Sequence, residues 1–343
     1  MSSTSVPQTM KAWQYSATAG GIEKNLVLNP SAPVPTLSPR IGDSEVLVRV
    51  LAASLNPVDY KVAELGPLGH LAVRTPATPG LDFCGRVVQA TRTVDDFAIG
   101  DLVFGRLKVG QHGTLAEYIA VPTSACAHVP AGVSVEEAAA VGVAGLTEYQ
   151  AIAPNVKPGD KVFINGGSGG TGTFGVQIAK ALGCHVTTTC SPAKIELCRS
   201  IGADEIINYT ATDVAETLKA KGQIFSLVVD NVGLPLNLYK AADDFLLPDG
   251  KFVQVGAPMS LATATSILSR TLLPSFLGGG KRKYQMFTLQ DSRENLNQIA
   301  KWIAEKKIKV IIDHVYDMDH VPKAFEELKK GKSAGKLVVR IGE

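Results

Sequence analysis

The stretch KVFINGGSGGTGTFGVQIAKAL, Lys161 to Leu182, decides the reading of the fold. Lys161 to Asn165 is a short run of strand character, and Gly170 to Leu182 carries apolar residues at helical spacing. Between them Gly167-Ser168-Gly169-Gly170-Thr171-Gly172 satisfies the pattern GxGxxG. Alone the pattern is weak; between a strand and a helix it has the context that a dinucleotide-binding turn requires. Glycines let the backbone turn sharply and approach a diphosphate, while the helix N-terminus offers unpaired N–H groups and a positive dipole end.

Working outward, strands and helices alternate. His185 to Cys190 reads as a strand and Pro192 to Ile201 as a helix with Ser191 as its N-cap. Glu205 to Asn208, Phe225 to Asp230 and Lys251 to Val255 are further strands separated by helical stretches. This alternation implies a parallel sheet covered on both faces, hence an α/β fold. Upstream, Val133 to Ala153 is Ala-rich and reads as one helix. Downstream come a helix (Arg293 to Lys306), a strand (Val310 to Val315), a helix (His320 to Lys330) and a last strand (Lys336 to Ile341). The first 130 residues are different: strand runs at Glu45 to Ala52, Phe83 to Ala90, Asp101 to Leu107 and Gly113 to Pro122, punctuated by turns at Asn56-Pro57, Pro79-Gly80 and Ile99-Gly100. The opening MSSTSVPQTM reads as a short disordered tail before Lys11, and Lys281-Arg282-Lys283 as a solvated loop.

The end of the second strand selects the cofactor. An NAD site usually carries Asp or Glu about 20 residues past the glycines, on the ribose 2′-hydroxyl. Here the strand ends Thr189-Cys190-Ser191, and the nearest carboxylate, Glu196, lies inside the next helix. Ser191 can donate a hydrogen bond, and Lys194 either adds positive charge there or is a solvated helix residue. The combination suits the 2′-phosphate of NADPH.

A formal net charge of +2 gives no argument for nucleic acid or an anionic membrane. The five cysteines (Cys84, Cys126, Cys184, Cys190 and Cys198) are odd in number and contain no CxxC, which fits reduced thiols. No apolar run reaches about 18 residues and no targeting segment is evident, so no membrane span and a cytoplasmic location are expected.

At this point the chain resembles the medium-chain dehydrogenase/reductase superfamily in its zinc-independent quinone oxidoreductase branch, near the chloroplast-envelope quinone oxidoreductase homologue. The resemblance rests on Ala53-Ser54-Leu55-Asn56-Pro57-Val58-Asp59, Pro79-Gly80-Leu81-Asp82-Phe83-Cys84-Gly85, Gly100-Asp101-Leu102-Val103-Phe104-Gly105, Val143-Ala144-Gly145-Leu146-Thr147, the glycine loop, and Ile201-Gly202-Ala203-Asp204-Glu205. It implies a GroES-like, partly open β-barrel catalytic domain over residues 1–130, completed by 291–343. A Rossmann domain would occupy 131–290, with the active site in the cleft between them. It further implies Thr147 near the nicotinamide carboxamide and Ser191, Lys194 and Tyr209 around the 2′-phosphate, although Tyr209 read on its own can equally be a loop aromatic covering the core. Asn231 and Gly233 would follow the fourth Rossmann strand, and Val255 and Gly256 would border the nicotinamide. A homodimer through the sheet edge is the favoured assembly.

Metal is not expected. The zinc-dependent relatives place a Cys, then Gly-His-Glu, where this chain has Asn56-Pro57-Val58-Asp59 and Gly80-Leu81-Asp82-Phe83. The five cysteines are too dispersed for a tetrahedral site. The remaining chemistry is hydride delivery to an electrophilic carbon, for which the cofactor carries the hydride and the protein supplies position and field. An α,β-unsaturated ketone, an enoyl group or a quinone is the expected apolar substrate. Asn56 is a candidate donor to its carbonyl oxygen or a holder of its own loop; Tyr60 is a candidate proton donor or a packing aromatic; Lys61 follows them. Lys61 to Pro79 is expected to line the substrate region, with Leu272 to Phe276 and Gly278-Gly279-Gly280 as another wall or flap. The alternatives are an NADP-linked alcohol dehydrogenase or carbonyl reductase, and a non-enzymatic NADPH-binding protein. A trans-acting enoyl reductase serving a polyketide synthase is a narrower form of the first reading.

Overall fold

The computed structural model describes residues 6–38, 44–110, 112–272 and 280–342. The chain divides into two compact units. One runs to Leu146 and takes in Asp291–Glu305 and the chain from Val310 on; the other comprises Thr147–Gln290 and Lys306–Lys309.

The second unit is built on a six-stranded sheet. Its order is Glu205–Asn208, His185–Cys190, Lys161–Asn165, Phe225–Asp230, Leu246–Gln254 and Lys283–Met286, and every neighbouring pair is parallel. The chain starts in the third position, winds outward to one edge, returns and winds to the other. The order therefore reverses between Lys161–Asn165 and Phe225–Asp230, which is where an open α/β sheet binds its ligand, beyond the carboxyl ends of the strands. The central strands are buried on both faces, so Val162, Phe163 and Ile164, and Leu227, Val228 and Val229, are continuously apolar and inaccessible. Phe163, Phe225 and Phe245 meet in tilted and edge-on contacts within this core.

The first unit is β-rich. A seven-stranded sheet runs Ile312–Asp317, Lys336–Arg340, Glu45–Leu55, Asp82–Ala90, Leu102–Arg106 and Cys126–His128, with Tyr118–Pro122 also paired to Glu45–Leu55. All pairs are antiparallel except the first. Glu45–Leu55 has three partners along its 11 residues, and its pairing with Asp82–Ala90 shifts register twice, at Leu47/Val48 and Val50/Ala52. Such bulges curl a sheet and let one long strand serve different neighbours at its two ends. The core behind it joins Leu55, Phe83, Ile119 and Phe325.

Several expectations change. Thr9 and Met10 belong to the strand Thr9–Gln14, paired with Val27–Pro33, and Met10 is buried, so the chain before Lys11 is not all tail. The Ala-rich stretch breaks into Val135–Ala139, started by a Ser134–Glu137 capping box, and Gly142–Ile152. Pro192–Lys194 is a 3₁₀ turn ahead of the helix Ile195–Ser200, and Ser191 makes no side-chain capping bond. Lys283 opens an edge strand and Arg282 donates to the Asp243 carbonyl, so of the basic run Lys281 alone remains an exposed loop residue. Most of the suggested flap, residues 273–279, lies outside the described residues.

Candidate functional site

In the second unit the glycine loop has the form its sequence demands. A Cβ on Gly167 would overlap the Thr188 hydroxyl, and one on Gly172 would overlap the Gly166 carbonyl, so both glycines allow close internal packing. Gly169 differs: a Cβ there would meet nothing nearer than the Gly166 carbonyl at 3.7 Å, leaving the backbone open to a ligand. It is also the N-cap of the 12-residue helix Gly170–Ala181 and provides no side-chain cap. The first-turn N–H groups of that helix are therefore not occupied by a capping side chain, as a diphosphate site needs. Gly170 and Thr171 are partly exposed, whereas Ser168 is buried.

A polar network beneath the strand ends fixes this loop. Gly166 donates to Thr189 Oγ1 (2.7 Å), which donates to Asn165 Oδ1 (2.7 Å). Asn165 Nδ2 reaches Asp230 Oδ1 (2.8 Å) and the Leu234 carbonyl (2.7 Å). Asp230 also accepts from the backbone of Val232 and Gly233 and from Gln254 Nε2 (3.0 Å), and Arg270 donates to Gln254 (3.0 Å). Burial raises the Asp230 carboxyl above its ordinary value, opposed by these hydrogen bonds. The Val255 and Gly256 amides both donate to the Asp230 carbonyl, and a Cβ on Gly256 would overlap the Asn231 carbonyl. Only glycine fits there.

Apart from Thr147, on the helix Gly142–Ile152, the remaining cofactor candidates fall at the same strand ends. Ser191 and Lys194 follow His185–Cys190 and are partly exposed. Tyr209, just past Glu205–Asn208, is 55% exposed, so it does not cover the core. Thr147 is buried. The Asn231 Oδ1 and Nδ2 atoms are buried and have no hydrogen-bond partner in the protein. Glycine cradle, uncapped helix start and unpaired amide all fit a dinucleotide.

In the first unit the Asn56 turn is anchored from below. Asn56 is buried; its Nδ2 donates to Asp82 Oδ2 (2.8 Å), and its Oδ1 accepts from Lys336 Nζ (2.5 Å). Lys336 also donates to the Leu55 carbonyl (3.0 Å) and to Asp82 (3.2 Å). Asp82 further accepts from Ser54 Oγ (2.9 Å) and from the Val143 amide at the start of Gly142–Ile152 (2.6 Å). The short helix Pro57–Lys61 is closed by Asp59, whose carboxylate accepts from the Asn56 amide (2.7 Å). Burial pushes the Asp59 carboxyl up to about 8.

Tyr60 is half-buried with Lys329 Nζ 5.1 Å from its ring centre, and Lys329 is ion-paired to Glu23 and Glu64. Burial raises the Tyr60 phenol, with the Lys329 charge opposing it. Burial lowers the Lys61 ammonium. The sequence points to neither Asp82 nor Lys336 as a site residue: Asp82 lies in the stretch Pro79 to Gly85, and Lys336, some 250 positions away, carries no local signal. Among the described residues no group of three or more His, Cys, Asp or Glu is placed to hold a metal ion.

Comparison with known proteins then fixes the lineage. A family model described as an alcohol dehydrogenase GroES-like domain matches residues 42–131, and one described as a zinc-binding dehydrogenase matches residues 201–339. The trans-enoyl reductase pgmF of Aspergillus terreus is 46% identical over 100% of this chain and 99% of its own. The chain belongs to the medium-chain dehydrogenase/reductase family. Within that family it is 30% identical to the chloroplastic quinone-oxidoreductase homologue of Spinacia oleracea, over 96% of this chain and 98% of that one. The structure of the quinone oxidoreductase from Coxiella burnetii superposes with a TM-score of 0.81 at 29% identity, covering 96% of this chain and 99% of that one. As a medium-chain dehydrogenase/reductase this protein is an oxidoreductase that uses a nicotinamide cofactor on a small-molecule substrate. No helix among the described residues is long and apolar enough to cross a membrane.

Proposed function

We propose that this protein is an NADPH-dependent, zinc-independent reductase. It delivers hydride to the conjugate carbon of an enone or enoyl group, with quinones as alternative acceptors. The observation that carries the cofactor choice is the end of His185–Cys190, where Cys190 and Ser191 stand in place of an acid and Lys194 follows. A carboxylate there would repel a 2′-phosphate, whereas Ser191, Lys194 and the exposed Tyr209 ring suit one. The bound cofactor supplies the hydride; Gly167 to Gly172 hold its diphosphate, and Thr147, Asn231, Val255 and Gly256 border its nicotinamide end.

The substrate chemistry follows from the donor set in the first unit. Where zinc-dependent relatives use a thiolate and an imidazole, this chain has Asn56 and Leu81, and the Asn56 amide is tied to the Asp82 carboxylate and the Lys336 side chain, a set that does not suit zinc. In this reading Asn56 holds the turn, since both ends of its amide are committed to Asp82 and Lys336. Donation to a substrate oxygen and return of a proton then fall to Tyr60 and Lys61, or to solvent. The relative named a trans-enoyl reductase supports an enoyl substrate. A homodimer through the free side of Lys283–Met286, the edge strand next to Leu246–Gln254, is the assembly we favour; the apolar run Phe252 to Val255 lies mostly inside the sheet.

The deciding experiment follows NADPH consumption with trans-2-hexenal, an alkyl vinyl ketone, a 2-enoyl thioester free and carrier-bound, 1,4-benzoquinone and 9,10-phenanthrenequinone. Faster turnover of enones or enoyl thioesters than of quinones supports conjugate reduction. Alcohol oxidation that depends on added zinc, or tight NADPH binding without turnover on any acceptor, would overturn it.

A further inference from the structure

Glu148 is a buried carboxyl that neither the fold nor the proposed chemistry uses. It lies on Gly142–Ile152, is fully inaccessible, and neither oxygen has a hydrogen-bond partner. Its side chain lies so close to Gly175, in the helix that follows the glycine loop, that a Cβ there would overlap Oε2. The polar group that acts on it is the Asn231 carboxamide, although the two lie outside regular hydrogen-bond geometry. Two orphaned polar groups thus lie together, and one belongs to the residue at the carboxyl end of Phe225–Asp230, where the cofactor is to bind.

We propose that Glu148 is a positioning residue of the cofactor site: its carboxyl sets which end of the Asn231 amide faces the dinucleotide. The inference rests on the nicotinamide reading of the second unit. A neutral carboxylic acid has an O–H and donates to Asn231 Oδ1, leaving Nδ2 as an outward donor. A carboxylate can only accept, so it takes Nδ2 and turns Oδ1 outward. A dinucleotide offers mostly oxygen acceptors, in its diphosphate, ribose hydroxyls and carboxamide, so the neutral form is the binding form. Burial favours that form, pushing the carboxyl up to about 8. The other titratable side chains on these three elements are Tyr149 on the same helix, Lys180 on Gly170–Ala181 and Asp230 on Phe225–Asp230. Lys180 is paired with Asp204, and Asp230 is bonded to Asn165 and Gln254.

The test is the dissociation constant of NADPH and of NADH, by dihydronicotinamide fluorescence, across a pH series from about 7 to about 9.5, chosen to lie above the 2′-phosphate titration near 6. In the natural protein both constants rise roughly 3- to 10-fold through the upper half of the series, the span of one net hydrogen bond. Glu148→Gln, whose Nε2 donates at every pH, keeps the tight value throughout; Glu148→Leu is weak at every pH and shows no break. Should Glu148→Gln fail to fold, Asn231→Ala carries the test, because the break must vanish with the amide. A break that persists in Glu148→Gln or Asn231→Ala, or cofactor binding in the natural protein with no break, overturns the inference and leaves the nicotinamide reading intact. No binding of either cofactor at any pH overturns both.

Discussion

Lys194 and Tyr60 carry the sharpest expectations at the scale of single residues. Lys194→Ala should raise the KM for NADPH by about 10- to 100-fold and leave that for NADH nearly unchanged, since a charge-assisted contact to phosphate is worth about 1.5–3 kcal/mol. Equal effects in steady-state kinetics with the two cofactors would remove Lys194 from the 2′-phosphate site. Tyr60→Phe should lower kcat less than about 100-fold, because the phenol competes with solvent as the proton source and general acid catalysis spans roughly 10²–10⁴. A larger loss, with KM unchanged, would make Tyr60 the dedicated acid. At this scale the sequence was most legible where chemistry is local. Gly167, Gly169 and Gly172 announced their roles through spacing alone. Asn56 did not: only the packed structure shows both ends of its amide engaged by Asp82 and Lys336.

Between elements, the buried cluster of Ser54, Asn56, Asp82 and Lys336 ties together the end of Glu45–Leu55, the start of Asp82–Ala90, the last strand and the first turn of Gly142–Ile152. Lys336 is 2% exposed, and three oxygens receive its side-chain nitrogen. Lys336→Met strands the Asp82 carboxylate without its cation and should cost about 3–5 kcal/mol in urea unfolding. A cost near zero would show that the hydrogen bonds from Ser54, Asn56 and Val143 alone satisfy Asp82. Elements with strong local signals were readable, and Lys161–Asn165, His185–Cys190 and Phe225–Asp230 begin and end where the sequence reading places them. The edge strand Lys283–Met286 was not, because four residues are too short a run to carry a signal and three of the four are exposed.

For the molecule as a whole, the buried acids make stability depend on pH in an unusual direction. Glu148 and Asp59 both sit near 8 when folded. In the unfolded chain both return to ordinary carboxyl values near 4. Between about pH 4 and 8 the folded state holds protons that the unfolded chain has released, so stability from these groups is complete below about pH 4 and falls as pH rises to 8. Glu148→Gln should therefore flatten the decline of the urea midpoint over that window, and Asp59→Asn should do the same independently. Unchanged slopes would mean that water or a partner keeps these carboxyls charged.

The sequence by itself determined the class of fold, the strand order's starting point at the glycine loop, the nicotinamide chemistry and the lack of an acid at the 2′-hydroxyl position. All of these are written in contiguous residues, where backbone freedom, helix start and charge act over a few positions. Only the tertiary structure decided what Asn56 holds, that Lys336 reaches Asp82 across some 250 residues, and that Glu148 and Asn231 share one buried space. Those facts depend on which distant groups are taken out of water together. Burial and pairing are properties of the packed chain, and no local pattern encodes them.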